Sequence, residues 1–250
     1  MPGSSNLNVL ASVALKGVLE QLAPEFRRST GFGLAPVYAP AGVVVRRVRE
    51  GVKADVVVVT PDTIEILIKE GLAVPSSQNT IARSVIGVAV RAGAPRPKID
   101  TVEDFRNALL RAKSVAYTDP ATGAASGVHF MQLLDRFGIA DAVRTKARLG
   151  DGGPVAEYVA RGEAELAIQQ LCEHMLVPGV DVVGPLPAEL QKITTFTAGV
   201  ATAAIAPREA EALIRLLSAP HILAAMPSHG LEPVRRDNQA PSGPTGGRQS

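Results

Sequence analysis

Short apolar runs alternate with stretches of helical period from the start of the chain onward. Leu7-Asn8-Val9-Leu10-Ala11-Ser12 reads as a buried strand, and Leu15, Val18, Leu19, Leu22 and Phe26 then mark one face of a helix extending to about Arg28. Gly31 ends that helix; Leu34-Ala35-Pro36-Val37-Tyr38 supplies a second strand, and Ala39-Pro40-Ala41-Gly42 opens a helix over Val43 to Glu50. Ala54-Asp55-Val56-Val57-Val58-Val59 is a continuous apolar strand of the doubly covered, parallel kind, followed by Thr60-Pro61-Asp62 and a helix with Asp62 as expected N-cap and Glu65 at its third position. Repeated strand, loop and helix units predict an α/β sheet.

The pattern changes after residue 81. Ile81 to Arg91 is one long strand leading to Ala94-Pro95-Arg96-Pro97, which predicts a crossing into a second lobe. That lobe holds a helix over Thr101 to Ala112, a strand at Ser114 to Tyr117, and a helix continuing through Phe130 to Phe137. Ala147-Arg148-Leu149, the flexible Gly150-Asp151-Gly152-Gly153, a short helix from Pro154 to Ala160 and strands at Ala164 to Gln169 and Val180 to Val183 follow. A long strand-rich return over Thr194 to Ile205 and helices from Pro207 and Pro220 complete the fold. The expected division is lobe 1 at residues 6–83 plus 202–234 and lobe 2 at 84–201, with the crossing strands at its ends. The Pro-, Gly- and Ser-rich tail at 235–250 is expected to be disordered.

Thr118-Asp119-Pro120-Ala121-Thr122-Gly123-Ala124-Ala125-Ser126 stands between a strand and a helix start. Small residues there let a ligand approach the free backbone N–H groups at the positive helix end, which favours a small anion, while Thr122 and Ser126 add hydroxyl donors.

Composition narrows the partners. Twenty-six basic against 24 acidic residues leave a net charge of +2, and aromatics make up 4% with no Trp, so neither a basic field nor stacking platforms for nucleic acid are present. The single Cys172 excludes a disulfide framework, and the isolated histidines show no metal spacing. No glycine-rich nucleotide fingerprint follows a strand; no cofactor or metal is expected. No apolar run is long enough for a membrane span, and no export signal is legible, which places the chain as written in the cytoplasm, or in the periplasm if a leader has been removed. Cys172-Glu173-His174 reads as a buried thiol beside a surface histidine.

Val9-Leu10-Ala11-Ser12 before the Leu15 helix, Tyr38-Ala39-Pro40-Ala41-Gly42 before the next, Gly51 to Val59, Thr118-Asp119-Pro120, and Leu216-Leu217-Ser218-Ala219-Pro220 with Gly230-Leu231 together resemble the molybdate-binding protein branch of the type 2 periplasmic binding proteins. The resemblance covers residues 7 to 234 and implies a two-lobed fold with a ligand cleft between the lobes. Oxyanion-binding members hold a tetrahedral anion with serines from the first two loops and a tyrosine from the second lobe. Here Ser12-Val13-Ala14 and Ala39-Pro40-Ala41-Gly42 stand in those loops, which moves the expected ligand from molybdate toward a small organic carboxylate.

The expected ligand contacts are Ser12, Tyr38, Ala41, Gly42, Thr60, Arg83, Thr122, Ala125, Ser126 and Gln169, most at the carboxyl ends of strands, with Arg83 offering a planar fork for a carboxylate. The expected function is a monomeric binding protein that closes on a small anion, with an ABC transporter permease as its partner. The alternative is an isomerase of a small tricarboxylic acid, since the same branch includes aconitate isomerase; His129 is then the candidate base, no acid–base pair being evident.

Overall fold

The structure is a computed structural model that describes residues 5–234. The expectation for a disordered segment at 235–250 falls outside the described residues.

The first lobe begins with β1 (Asn6–Ala11), a 3-10 turn (Val13–Leu15), α1 (Lys16–Thr30), β2 (Gly33–Tyr38), α2 (Ala41–Arg49), β3 (Val56–Val59) and α3 (Pro61–Lys69). β1 lies between β2 and β3 and pairs in parallel with both. The apolar run that marks β3 is buried on both faces because side chains alternate along a strand. Val56 and Val58 join Leu7 and Val9 against Leu19, Leu22 and Phe26 of α1, whereas Val57, Val59 and Leu10 pack against Val44 and Val48 of α2 and Ile64 and Leu67 of α3.

The second lobe comprises β4 (Asn79–Arg91), α4 (Val102–Arg111), β5 (Val115–Thr118), α5 (Ala125–Arg136), α6 (Ala140–Arg144), β6 (Ala147–Gly150), α7 (Ala156–Ala160), β7 (Leu166–Gln170), α8 (Leu171–His174) and β8 (Val180–Pro185). The chain returns through β9 (Ile193–Val200), α9 (Pro207–Leu217), α10 (Pro220–Ala225) and β10 (Glu232–Pro233). Its core is built around Val88, Val90, Tyr117 and Ile168 with Phe105 and Phe130, and Tyr117 meets Phe130 edge-to-face at 4.9 Å between centroids.

The strands follow the order β2-β1-β3-β9-β4-β7-β5-β6, with β8 and β10 also paired to β4. β4 pairs with β9 through Val85 and with β7 from Ile86 onward. β9 in turn pairs with β4 along its first part and with β3 over Thr197 to Val200. Two antiparallel strands thus run from one lobe into the other, and the divisions expected at 83/84 and 201/202 fall in and just after them.

Two local expectations are corrected. The N-cap of α3 is Thr60, with Pro61 at the first helical position, because a proline has no N–H to leave unpaired there; Asp62 sits in the first turn, where its charge still faces the positive helix end. α7 begins at Ala156 rather than Pro154, since the Val155 N–H is held outside the helix by Gln169 Oε1 at 2.8 Å.

Candidate functional site

The cleft between the lobes is lined from the first lobe by Ser12, Val13, Ala39, Pro40, Ala41, Val59 and Thr60, and from the second by Thr118, Ala124, Ala125, Ser126, Gly152, Gln169, Gln170 and Glu173. Thr194 and Phe196 of β9 complete it. These residues cluster because β1, β3, β5 and β7 all end here, and open α/β sheets present their ligand crevice at the carboxyl ends of strands.

Among the described residues, three helices of nine residues or more start at this cleft, drawn from both lobes: α2 after Pro40, α3 after Thr60 and α5 after Ala124; the four-residue α8 also starts here, after Gln170. None of the three N-cap residues accepts a hydrogen bond from its helix through a side chain, so the first-turn N–H groups lack the usual internal partner. Gly127 allows α5 to begin hard against the end of β5, since a Cβ there would overlap the Thr118 carbonyl.

The lobes touch across the opening. A Cβ added to Gly42 would lie 2.7 Å from the Thr122 carbonyl oxygen, and Gly123 packs against the same glycine. Gly152 meets Pro40 on the other side, on a loop anchored where the Gln169 amide donates to Gly153 O at 3.2 Å and Thr118 Oγ1 at 3.0 Å. In this closed arrangement the cleft encloses about 40 Å³. At roughly 10–15 Å³ per water-sized position, that suits a compact anion.

Among the described residues, no Lys, Arg or His lines the cleft, and its one titratable side chain is Glu173. This residue is 7% exposed, and burial pushes its carboxyl up to about 8, with the Gln169 amide pulling the other way. At neutral pH the group is mostly protonated. In the same lining, Gln170 donates through Nε2 to Thr194 Oγ1 at 2.7 Å, while its Oε1 is buried without a partner among the described residues.

Of the residues expected from sequence, the structure brings Ser12, Ala41, Thr60, Ala125, Ser126 and Gln169 into the cleft lining. Gly42 stands at the lobe contact instead, and Thr122 directs its hydroxyl to Asp119 O at 2.7 Å as a local turn bond. Tyr38 lines a neighbouring cavity of about 290 Å³ with Lys16 and Arg47; its buried hydroxyl has no partner, and burial raises its pKa. Arg83 is exposed on β4, opposite Thr195 of β9 and Glu232 of β10, away from the cleft. Its neighbours Ala82 and Ser84 are buried, so strand alternation turns Arg83 outward.

His129 does not line the cleft either; its Nε2 lies 2.8 Å from Leu190 O. His174, expected at the surface, is fully buried, donates from Nε2 to Gly87 O at 3.2 Å, and is pushed down to about 4 by burial. Cys172 is buried 3.2 Å from Ser84 Oγ with its thiol pKa raised, which makes it unreactive. Among the polar lining residues, Thr118, Glu173 and Thr194 were not expected as contacts from the sequence, nor was the aromatic Phe196. Among the described residues, no three His, Cys, Asp or Glu side chains gather as a metal site, and no helix is long and apolar enough to cross a membrane.

Comparison with known proteins agrees with this architecture. Aconitate isomerase from a Pseudomonas species is 34% identical over 236 residues, covering 92% of this chain and 88% of that one. The periplasmic molybdate-binding protein of Azotobacter vinelandii superposes with a TM-score of 0.75 at 22% identity, covering 90% of this chain and 98% of that one. The sulfate-binding protein SubI of Mycobacterium tuberculosis H37Rv superposes with a TM-score of 0.73 at 18% identity, covering 92% and 87%. The two superpositions establish the two-lobed fold. Residues 7–232 match the family described as bacterial extracellular solute-binding proteins, and the chain belongs to that family.

Proposed function

We propose that the lobes close on a small anion, a carboxylate or compact oxyanion, and that the closed form is presented to an ABC transporter permease outside the cytoplasm. The observation that supports this most is the convergence of α2, α3 and α5, whose N-termini without side-chain caps meet at a cleft lined, among the described residues, by no basic side chain. Each helix start carries about half a positive charge, so three of them offset a mono- or dianion without a lysine or arginine. Ser12, Thr60 and Ser126 bring hydroxyls to the same space. Glu173, held largely protonated near neutral pH by its burial, can donate a hydrogen bond to the anion.

The test is a thermal-shift series with molybdate, sulfate, phosphate, citrate, the aconitates and simple dicarboxylates. An anion present at about 100 times its dissociation constant adds about 2.7 kcal/mol, which at this chain length raises the melting temperature by roughly 5–10 °C. No shift with any of them removes the reading.

A second reading, isomerisation of a small tricarboxylate, is supported by the 34% identity to aconitate isomerase across 92% of the chain. A tricarboxylate is larger than the closed cleft, so it would be admitted by parting the lobes at the Gly42 to Thr122 contact. Incubation with cis-aconitate, followed by NMR of the isomer ratio, separates turnover from binding alone.

A further inference from the structure

We propose that Glu173 is the catalytic residue of a proton shift carried out in this cleft, moving a carbon–carbon double bond within a bound unsaturated carboxylate. The inference rests on the reading that a carboxylate occupies the cleft and deepens the isomerase alternative by naming the group that does the chemistry.

Among the described residues, Glu173 is the one titratable side chain in the lining, and it is nine-tenths buried in α8, just past the end of β7. The same lining holds Gln170, whose buried Oε1 lacks a partner among the described residues, and the start of α5, which has no side-chain cap. A base is needed beside a held anion, together with fixed positive dipoles to stabilise the charge that develops; the cleft supplies both. Burial also suits the group to the task, because a carboxylate near 8 is a stronger base than one in water and can still return its proton near neutral pH.

The step balances with no other reagent. Ionised Glu173 takes one proton from the methylene carbon beside a carboxylate and the double bond. The C–H electron pair spreads over the allyl unit and its conjugated carboxylate, facing the helix N-termini. The proton on Glu173 is then delivered to the far carbon of the allyl unit. One C–H bond breaks and one forms, the double bond moves by one carbon, nothing is oxidised or reduced, and Glu173 ends ionised as it began. One group suffices because both carbons lie on the same face of a short, rigid unit.

The probe is cis- and trans-aconitate with the full chain and its Glu173→Gln variant, at pH 8 in D2O, with isomer ratio and methylene proton loss read by NMR and binding read in parallel by thermal shift. The expected result is interconversion by the unsubstituted protein and a drop of about 100-fold or more in the variant, with the aconitate-induced shift retained. Turnover in the variant within about tenfold of the unsubstituted protein overturns the proposal. So does an aconitate shift in the unsubstituted protein with no isomerisation and no deuterium uptake, an outcome that leaves the binding reading standing. Absence of any shift across the carboxylates overturns both together. If Glu173→Gln fails to fold, Glu173→Asp serves instead: withdrawing the carboxylate by one methylene is expected to slow turnover at least tenfold, and undiminished turnover counts against Glu173.

Discussion

Gln170 on β7 and Thr194 on β9 are joined by a 2.7 Å hydrogen bond that leaves the other end of the Gln170 amide buried and unpaired in the cleft wall. The bond links the second lobe to a crossing strand at the place where the ligand is proposed to sit. Removing only the hydroxyl, as Thr194→Val, strands a second polar atom of Gln170, and is expected to cost about 1–3 kcal/mol in urea denaturation. Adding Gln170→Leu to that variant removes both stranded atoms and is expected to restore most of the loss. A double variant no more stable than Thr194→Val would show that the amide has other partners.

Closure depends on the absence of a side chain at residue 42. A Cβ there falls 2.7 Å from the Thr122 carbonyl, a separation that backbone cannot relieve without moving the lobes apart. Gly42→Val is expected to leave the melting temperature of the free protein within a few degrees and to weaken any bound anion by about tenfold or more, since ordering the closed form must then be paid for by the ligand. Isothermal titration with whichever anion gives the thermal shift checks this; unchanged affinity means binding does not need this contact.

Arg83 gives a negative control. It lies exposed on β4 outside the cleft, so Arg83→Ala is expected to change stability by no more than about 0.5 kcal/mol and to leave the carboxylate-induced shift intact. Loss of that shift would place the guanidinium in the binding path.

Stability should vary with pH in a way set by two adjacent buried groups. Glu173 titrates at about 8 in the fold against an ordinary 4.5, so between these values the folded protein holds a proton that the unfolded chain has released. Stability therefore falls as pH rises through that window and levels off above it. His174 runs the other way: held down at about 4 against 6.5, it leaves the unfolded chain with the extra proton, and stability is lost as pH falls from 6.5 toward 4. At about 1.4 kcal/mol per pKa unit, Glu173→Gln should gain a few kcal/mol over the unsubstituted protein at pH 9 and little at pH 5. Urea midpoints from pH 4 to 9 that run parallel for the two proteins would rule out a raised Glu173.

The first lobe was legible because its physics is local. A run such as Val56 to Val59 can only be a doubly covered strand, and the helical period from Leu15 to Phe26 can only be satisfied against it. The cleft loops were legible for a related reason, since the ends of parallel strands converge whatever the ligand. Glu173 was not, because an acid between a cysteine and a histidine carries no mark of burial in a one-dimensional reading; a signal lay in its position just past the fully buried Leu166–Gln170 strand. Thr194 and Phe196 reach the cleft only through a strand that returns from far along the chain. Arg83 was expected to hold a carboxylate for its planar fork beside the crossing strand, although the buried Ala82 and Ser84 on either side turn it toward solvent.

β9 places Thr194 and Phe196 in the cleft wall and, from the next residue on, Thr197 to Val200 beside β3 of the first lobe. The cleft wall and a connection between the lobes are therefore parts of one strand. An occupant held against Thr194 is expected to register as slowed amide exchange along the connecting strands β4 and β9, ahead of either lobe's interior.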